Sequence, residues 1–215
     1  MSDQIEPVFS TRRPVCPHCL RPRISCICHW IVATLPLVEL LILQHPLEVH
    51  QAKGSARLLH LSLNGSSLLT GEIFDDAYLE RELYCGGKTP ILLYPENPVA
   101  GNLLRSPPAL TPDILAQPER LRLVVLDGTW RKSRKMLYQN RLLQELPRLP
   151  LSDMPASHYR IRKAHKPDQL STLEASCQAL IQLEDDTEKY QPLLSAFDGF
   201  IDQQLSFLAT ATPGK

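Results

Sequence analysis

The chain has 215 residues, 43% of them hydrophobic, and its 23 Lys plus Arg balance 23 Asp plus Glu. That length supports one main core, burying about 70% of the unfolded chain's surface, with room for a small appendage. A formal charge of zero argues neither for nor against a nucleic-acid partner, so only local clusters of charge speak. The longest apolar run, WIVATLPLVELLIL, is broken by Pro36 and Glu39 and falls short of the roughly 18 residues that span a bilayer, so no membrane partner is expected. The opening MSDQIEPVFSTRRP carries no apolar signal core, so the expectation is a cytoplasmic protein without export.

Residues 1–14 read as a flexible tail, 15–30 as a Cys-rich knuckle and 31–210 as the main domain. The knuckle, CPHCLRPRISCIC, sets Cys16-x2-Cys19 before Cys26-x-Cys28. Clustered thiols in a reducing compartment point to metal rather than to disulfides. Four sulfurs around a tetrahedral zinc leave no open position, so the ion would be structural, supplying on the order of 10 kcal/mol to a segment too small for its own core. His18 and His29 lie near enough to replace one thiolate. A chance cluster of reduced thiols and a redox pair are the alternatives.

Strands alternate with helices from there on. ELLILQ reads as a buried strand stopped near Pro46, and the spacing in LEVHQAKGSARLLHLSL predicts a helix from about 48 to 63. SSLLTGEIF gives a short strand and turn, DAYLERELYC a helix, and TPILLYPEN a strand. Residues 96–119, rich in proline, read as loop with room for a short helix. RLRLVVLDG is the clearest buried strand, and TWRKSRKMLYQN the helix that follows it. LPRLPLSDMPAS holds three prolines and reads as irregular, and HYRIR as a short strand. LSTLEASCQALIQLE opens with a Ser-Thr-x-Glu capping pattern, and YQPLLSAFDGFIDQQLSFLA makes a last helix. The alternation implies an α/β fold with a parallel sheet flanked by helices. Cys85 and Cys177, on predicted helices, read as ordinary buried thiols.

Chemistry concentrates in LDGTWRKSRK. Ligands of open α/β sheets sit beyond the carboxyl ends of the strands, and Asp127 lies at such an end. Gly128 lets backbone approach a ligand closely, and Trp130 offers a flat face to a base. Arg131, Lys132, Arg134 and Lys135 suit a phosphate backbone. The structural alternative is equally plain: Asp127 caps the helix, Trp130 packs in the core, and the charges form a solvated face. A second cluster, HYRIRKAHKPDQLSTLEA, joins Tyr159, Arg160, Arg162, Lys163, His165 and Lys166 to a helix start at Ser171-Thr172. Its orphan amides could hold a carboxylate or phosphate, or Ser171 could simply be an N-cap and Glu174 its box partner. In QHPLE, His45 and Glu48 sit where the first loop would meet the same pocket, although a lone histidine there is as readily a structural hydrogen-bonder.

The order Cys-x2-Cys…Cys-x-Cys, HPLE, LDGTW and YRIRK…LSTLEA resembles the DTW-domain family across residues 15–205; its members include tRNA-uridine aminocarboxypropyltransferases. The resemblance implies a SPOUT-like fold with a knotted C-terminal half and S-adenosylmethionine as donor. It implies transfer of a 3-amino-3-carboxypropyl group to N3 of a tRNA uridine, releasing methylthioadenosine. Asp127, the acid of the motif, would be the general base, with Trp130 stacking on or walling the pocket. Backbone around Leu93, Tyr94, Leu126, Gly128, Thr129, Ile161 and Arg162 would hold the adenosine part. Ser171 and Thr172, with Glu174 in the first turn, would hold the amino-acid carboxylate. His45, Arg131, Lys132, Arg134, Lys135, Arg160 and Lys163 would meet the RNA, and Cys16, Cys19, Cys26 and Cys28 the structural zinc. KGSARLL departs from the Asn-Thr expected near Gly54 and Ser55, leaving that turn's role open. A SPOUT-type RNA methyltransferase and a non-enzymatic zinc-knuckle RNA-binding module are the rival readings. No obligate protein partner is evident.

Overall fold

The computed structural model describes residues 14–95, 107–151 and 170–210. Five parallel strands form the sheet: β1 (Glu39–Gln44), β2 (Ser67–Thr70), β3 (Thr89–Leu93), β4 (Leu121–Asp127) and β5 (Arg148–Leu149), in the order β2-β1-β4-β3-β5. The helices are α1 (Ala56–Ser62), α2 (Asp76–Tyr84), α3 (Pro112–Leu115), α4 (Trp130–Gln139), α5 (Arg141–Gln144), α6 (Thr172–Glu184) and α7 (Thr187–Thr210).

Parallel strands buried on both faces read as near-continuous apolar runs, and alternate side chains go to opposite faces. In β1 and β4, Leu40, Ile42, Leu123 and Val125 enter one core with residues of α1, α6 and α7, among them Leu58, Leu180, Phe197 and Phe200. Leu41, Leu43, Val124 and Leu126 enter a second core with Leu79 and Leu83 of α2, Met136 and Leu137 of α4, and Leu143 of α5. Helices therefore flank the sheet on both faces. Among the described residues no helix is long and apolar enough to cross a membrane.

Three expectations are corrected. The helix predicted over 48–63 is only Ala56–Ser62. Ahead of it stand a 3-10 turn, Pro46–Glu48, and a loop closed by hydrogen bonds from Gln51 N to Glu48 O and from Gly54 N to Gln51 O. His50, Gln51 and Lys53 give that stretch no apolar face to bury, and Gly54 disfavours helix. In the proline-rich stretch expected to be irregular, Arg148 and Leu149 add an edge strand to β3. The flanking Pro147 and Pro150 do not prevent it, because an edge needs carbonyl acceptors on one side only: Leu92 N donates to Pro147 O at 2.9 Å. Cys85 is exposed in a turn after α2, whereas Cys177 is buried as expected. Residues 1–13 of the tail, the HYRIR stretch with its Tyr159, and His165 and Lys166 lie outside the described residues.

Candidate active site

A cleft of about 700 Å³ opens at the carboxyl ends of β3, β4 and β5. Its walls are Leu93, Tyr94 and Pro95 after β3; Val125, Leu126 and Gly128–Arg131, with Ser133, from β4 into α4; Leu149–Leu151 at β5; and Leu170–Thr172 with Ala175 at the start of α6. Of the residues assigned to the donor, Leu93, Tyr94, Leu126, Gly128, Thr129, Ser171 and Thr172 are thus brought together. Ile161 and Arg162, and the RNA candidates Arg160 and Lys163, lie outside the described residues.

Asp127 is not itself a wall residue and is only 6% exposed. Its register partner on β1 is Gln44, whose Nε2 donates to Asp127 Oδ2 at 2.9 Å. From α6, Thr172 Oγ1 donates to Asp127 Oδ1 at 2.6 Å. The carboxylate therefore stands one residue behind the cleft, and the Thr172 hydroxyl joins it to the wall. Gly128 answers a packing demand as well: a β-carbon there would meet Lys132 Cβ at 3.1 Å.

At the start of α6 the capping box is complete. Glu174 N donates to Ser171 Oγ at 3.1 Å, and Ser171 N donates to Glu174 Oε2 at 2.8 Å. Leu173 N donates to Ser55 Oγ at 3.2 Å, across from the loop before α1. Glu174 and the Ser171 hydroxyl therefore form the capping box that the sequence pattern offered as the alternative to ligand contact, while Ser171 also lines the cleft. The orphan donors of the first turn are mostly consumed, and the Thr172 amide is the one without an acceptor among the described residues.

Trp130, 51% exposed, stacks on Tyr94 with ring centroids 5.1 Å apart and planes 13° from parallel. It is not a core residue, so the packed-indole alternative falls. The Arg148 guanidinium lies 5.7 Å from the Tyr94 ring centroid, within cation–π range. Burial pulls Arg148 down to about 10 and holds the Tyr94 phenol above its ordinary range.

The basic helix divides in two. Lys132 Nζ pairs with Glu48 at 2.8 Å and Lys135 Nζ with Glu72 at 2.7 Å, tying α4 to the loops after β1 and β2. The Lys135 ammonium is the main reason the Glu72 carboxyl sits below its ordinary range. Arg131 and Arg134, both exposed, form no ion pair among the described residues. His45 is buried; its Nδ1 accepts from Leu47 N at 3.1 Å, and its Nε2 lies 3.4 Å from Glu72 Oε1. The structure thus gives His45 the hydrogen-bonding role that competed with RNA contact, and Lys132 and Lys135 a bracing one.

In the knuckle, the sulfurs of Cys16, Cys19, Cys26 and Cys28 all lie within 4.8 Å of one another, a group that could hold a metal ion. Cys16 and Cys28 are 3.6 Å apart, and Cys19 and Cys26 3.7 Å. A tetrahedral ion with metal–sulfur distances of about 2.3 Å spaces its sulfurs about 3.8 Å apart, so the set fits. Backbone amides of Cys19 and His18 pull the Cys16 thiol down to about 6, while burial and then the neighbouring sulfurs push Cys28 up to about 12. Such a cluster sheds its protons in steps that belong to the group, the first of them easily. His18 Nδ1 lies 3.6 Å from Cys28 Sγ, whereas His29 packs on Trp30. Trp30 in turn lies where a β-carbon on Gly199 of α7 would be, and bonds Gln203 at 2.9 Å.

The family model described as DTW domain matches residues 13–205. The chain belongs to the DTW-domain family. It is 29% identical over 208 residues to the tRNA-uridine aminocarboxypropyltransferase 2 of Macaca fascicularis, covering 94% of this chain and 66% of that protein. It is 30% identical over 200 residues to the protein of the same name from Mus musculus (90% and 64%) and over 202 residues to that from Drosophila melanogaster (90% and 76%). The DTW chain spans about two thirds of the length of the two mammalian relatives. No solved structure matches it. Sequence reasoning missed Gln44, Glu72 and Arg148 and left the role of the Gly54–Ser55 turn open; of the three it missed, only Gln44, beside His45 at the end of a predicted strand, carried a positional signal.

Proposed function

We propose that this DTW chain moves the 3-amino-3-carboxypropyl group of S-adenosylmethionine to N3 of a uridine in tRNA, releasing methylthioadenosine. The observation that carries the reading is the cleft lined by Gly128, Thr129, Trp130 and the start of α6, in a chain of a family whose named relatives are tRNA-uridine aminocarboxypropyltransferases. The uridine N3 lone pair attacks the donor's γ-carbon, and the carbon–sulfur bond breaks with its electrons passing to the departing thioether. The N3 proton goes to Thr172 Oγ1 while the Thr172 hydroxyl proton passes to Asp127 Oδ1, so Asp127 is the base and Thr172 its relay. Support for that route is the 2.6 Å bond between them and the place of Thr172 in the cleft wall.

The leaving group is a neutral sulfide, so the chief task is to aim the γ-carbon at N3, which is a positioning problem. Walls around Leu93, Tyr94, Leu126 and Leu149 suit the adenosine part, and the Thr172 amide, which has no acceptor among the described residues, suits the amino-acid carboxylate. Arg131 and Arg134 grip RNA phosphates. The ion of the knuckle is zinc, held by Cys16, Cys19, Cys26 and Cys28. A SPOUT-type arrangement with a knotted C-terminal half and a cytoplasmic location belong to the same reading.

Incubation with donor labelled in the aminocarboxypropyl carbons and bulk tRNA, followed by nucleoside mass analysis, tests it. Labelled uridine and methylthioadenosine are expected; S-adenosylhomocysteine as the by-product would replace the reading with methyl transfer.

A further inference from the structure

We infer that the cysteine knuckle braces the wall of the cleft, with Arg21 as the positioning residue that carries its order there. The knuckle closes on itself through Cys16 N to Arg21 O at 2.8 Å and Leu20 N to Cys16 O at 2.9 Å. Leu20 takes φ +60°, a left-handed conformation that a leucine adopts only where its surroundings impose it. That turn sends the next side chain, Arg21, out to the loop before α1. Its Nη1 donates to Ala52 O at 2.6 Å and its Nη2 to Gly54 O at 2.8 Å, and its guanidinium also lies 5.2 Å from the Phe200 ring centroid on α7.

A second tie runs the other way: Arg57 Nη2, on α1, donates to His18 O at 2.8 Å, inside the Cys-x2-Cys turn. The residue after Gly54 is Ser55, whose Oγ accepts the Leu173 amide. Leu173 stands next to Thr172, which lines the cleft and bonds Asp127. The path from the cysteine cluster to the wall is therefore Arg21, Gly54, Ser55, Leu173, Thr172, with one hydrogen bond or one peptide at each link. Loop 49–55 has no helix or strand of its own, so the bonds from Arg21 add to its few internal ones, Gln51 N to Glu48 O and Gly54 N to Gln51 O, in ordering it. The knuckle thus acts on the site through this path, whatever else it touches.

Hydrogen exchange on the full, zinc-loaded chain tests this without donor or RNA, so the outcome is independent of the proposed transfer. Arg21→Met should leave one zinc per chain, because the thiolates do not need Arg21. It should speed exchange of the amides in 52–57 and of Leu173 by about tenfold or more, the size expected when charge-assisted bonds are lost. Ser55→Ala should speed Leu173 and leave the knuckle unchanged. Arg21→Lys, whose single ammonium cannot span both carbonyls, should fall between wild type and Arg21→Met, and it serves as the test if Arg21→Met does not fold. Unchanged exchange at Leu173 in Arg21→Met, or in Arg21→Lys where that variant stands in, overturns the inference, as does loss of zinc with the loop still protected.

Discussion

Gln44 and Asp127 face each other across the ladder between β1 and β4, and the Gln44 amide donates to one carboxylate oxygen at 2.9 Å while Thr172 takes the other at 2.6 Å. A carboxylate held by both oxygens cannot swing, so its geometry is fixed before substrate arrives. Asp127→Asn keeps the size but cannot accept the proton and turns an NH2 toward one of two donors. Single-turnover transfer should fall by at least about 10²-fold, with about 1–2 kcal/mol lost in urea unfolding from the disturbed bonds. Wild-type transfer by this variant would remove Asp127 from the chemistry.

Thr172 separates relay from support. Thr172→Ser keeps the hydroxyl and Thr172→Val keeps the shape. If the hydroxyl passes the proton, Thr172→Ser should stay within a few-fold of wild type and Thr172→Val should lose about 10- to 100-fold in kcat, with little change in donor KM. Loss in Thr172→Ser with Thr172→Val near wild type would mean that the methyl group, not the hydroxyl, matters.

The four basic residues of the first turns of α4 should not behave alike. Lys132 and Lys135 are held by Glu48 and Glu72, whereas Arg131 and Arg134 point no charge at a protein acid among the described residues. Each phosphate contact contributes about 0.7–0.9 to the slope of log affinity against log salt. Arg131→Ala and Arg134→Ala should each lower that slope by about this amount in tRNA binding. Lys132→Ala should leave the slope nearly intact and cost stability, because it strands the buried Glu48. A uniform loss of slope across all four would return the lysines to the RNA.

Trp130 stacks on Tyr94 and keeps about half its surface open at the rim of the cleft. That leaves a flat face for a nucleobase, worth roughly 1–3 kcal/mol per stacked ring. Trp130→Ala should weaken tRNA binding about 5- to 100-fold and leave donor affinity within a few-fold. In a Trp30→Phe background the remaining indole reports directly, and its fluorescence should change when RNA is added. Loss of donor binding with RNA binding intact would put the adenine, not the base, on this ring.

How much of this was legible in the sequence depends on how far each partner lies along the chain. β4 and its DGTW end were legible because a strand buried on both faces is apolar throughout and stops at its first polar residues. The capping box of α6 was legible because Ser171 and Glu174 are three residues apart, and the four cysteines because their spacing is local. Gln44 and Ser55 were not: their partners stand 83 and 118 residues away. The same distance hid the pairing of Lys132 and Lys135, so a basic run looked wholly available to phosphate. The false helix over 48–55 came from counting small and apolar residues without knowing what they would face. β5 is two residues long and exists because β3 offers an unpaired edge, which no local pattern records.

At the opposite end of the sheet from the cleft, Glu39 offers a pH test. Its carboxylate pairs with Arg122, its register partner on β4, and with Lys88 at 3.0 Å. Burial alone would raise its pKa, but the hydrogen bonds from Arg122 and Lys88 carry it below the ordinary 4.5. A carboxyl group with a lowered folded pKa stabilises above the unfolded value and loses that contribution as pH falls through the folded one. Glu39→Gln should therefore cost about 1 kcal/mol at pH 7: solvent screens a side chain about a third exposed, yet the buried Arg122 loses its charged partner. Below pH 4.5 the wild type should surrender the same contribution, so the two unfolding free energies should converge toward pH 3. A gap that stays constant from pH 7 to pH 3 would show that shape and not charge sets the contribution of Glu39.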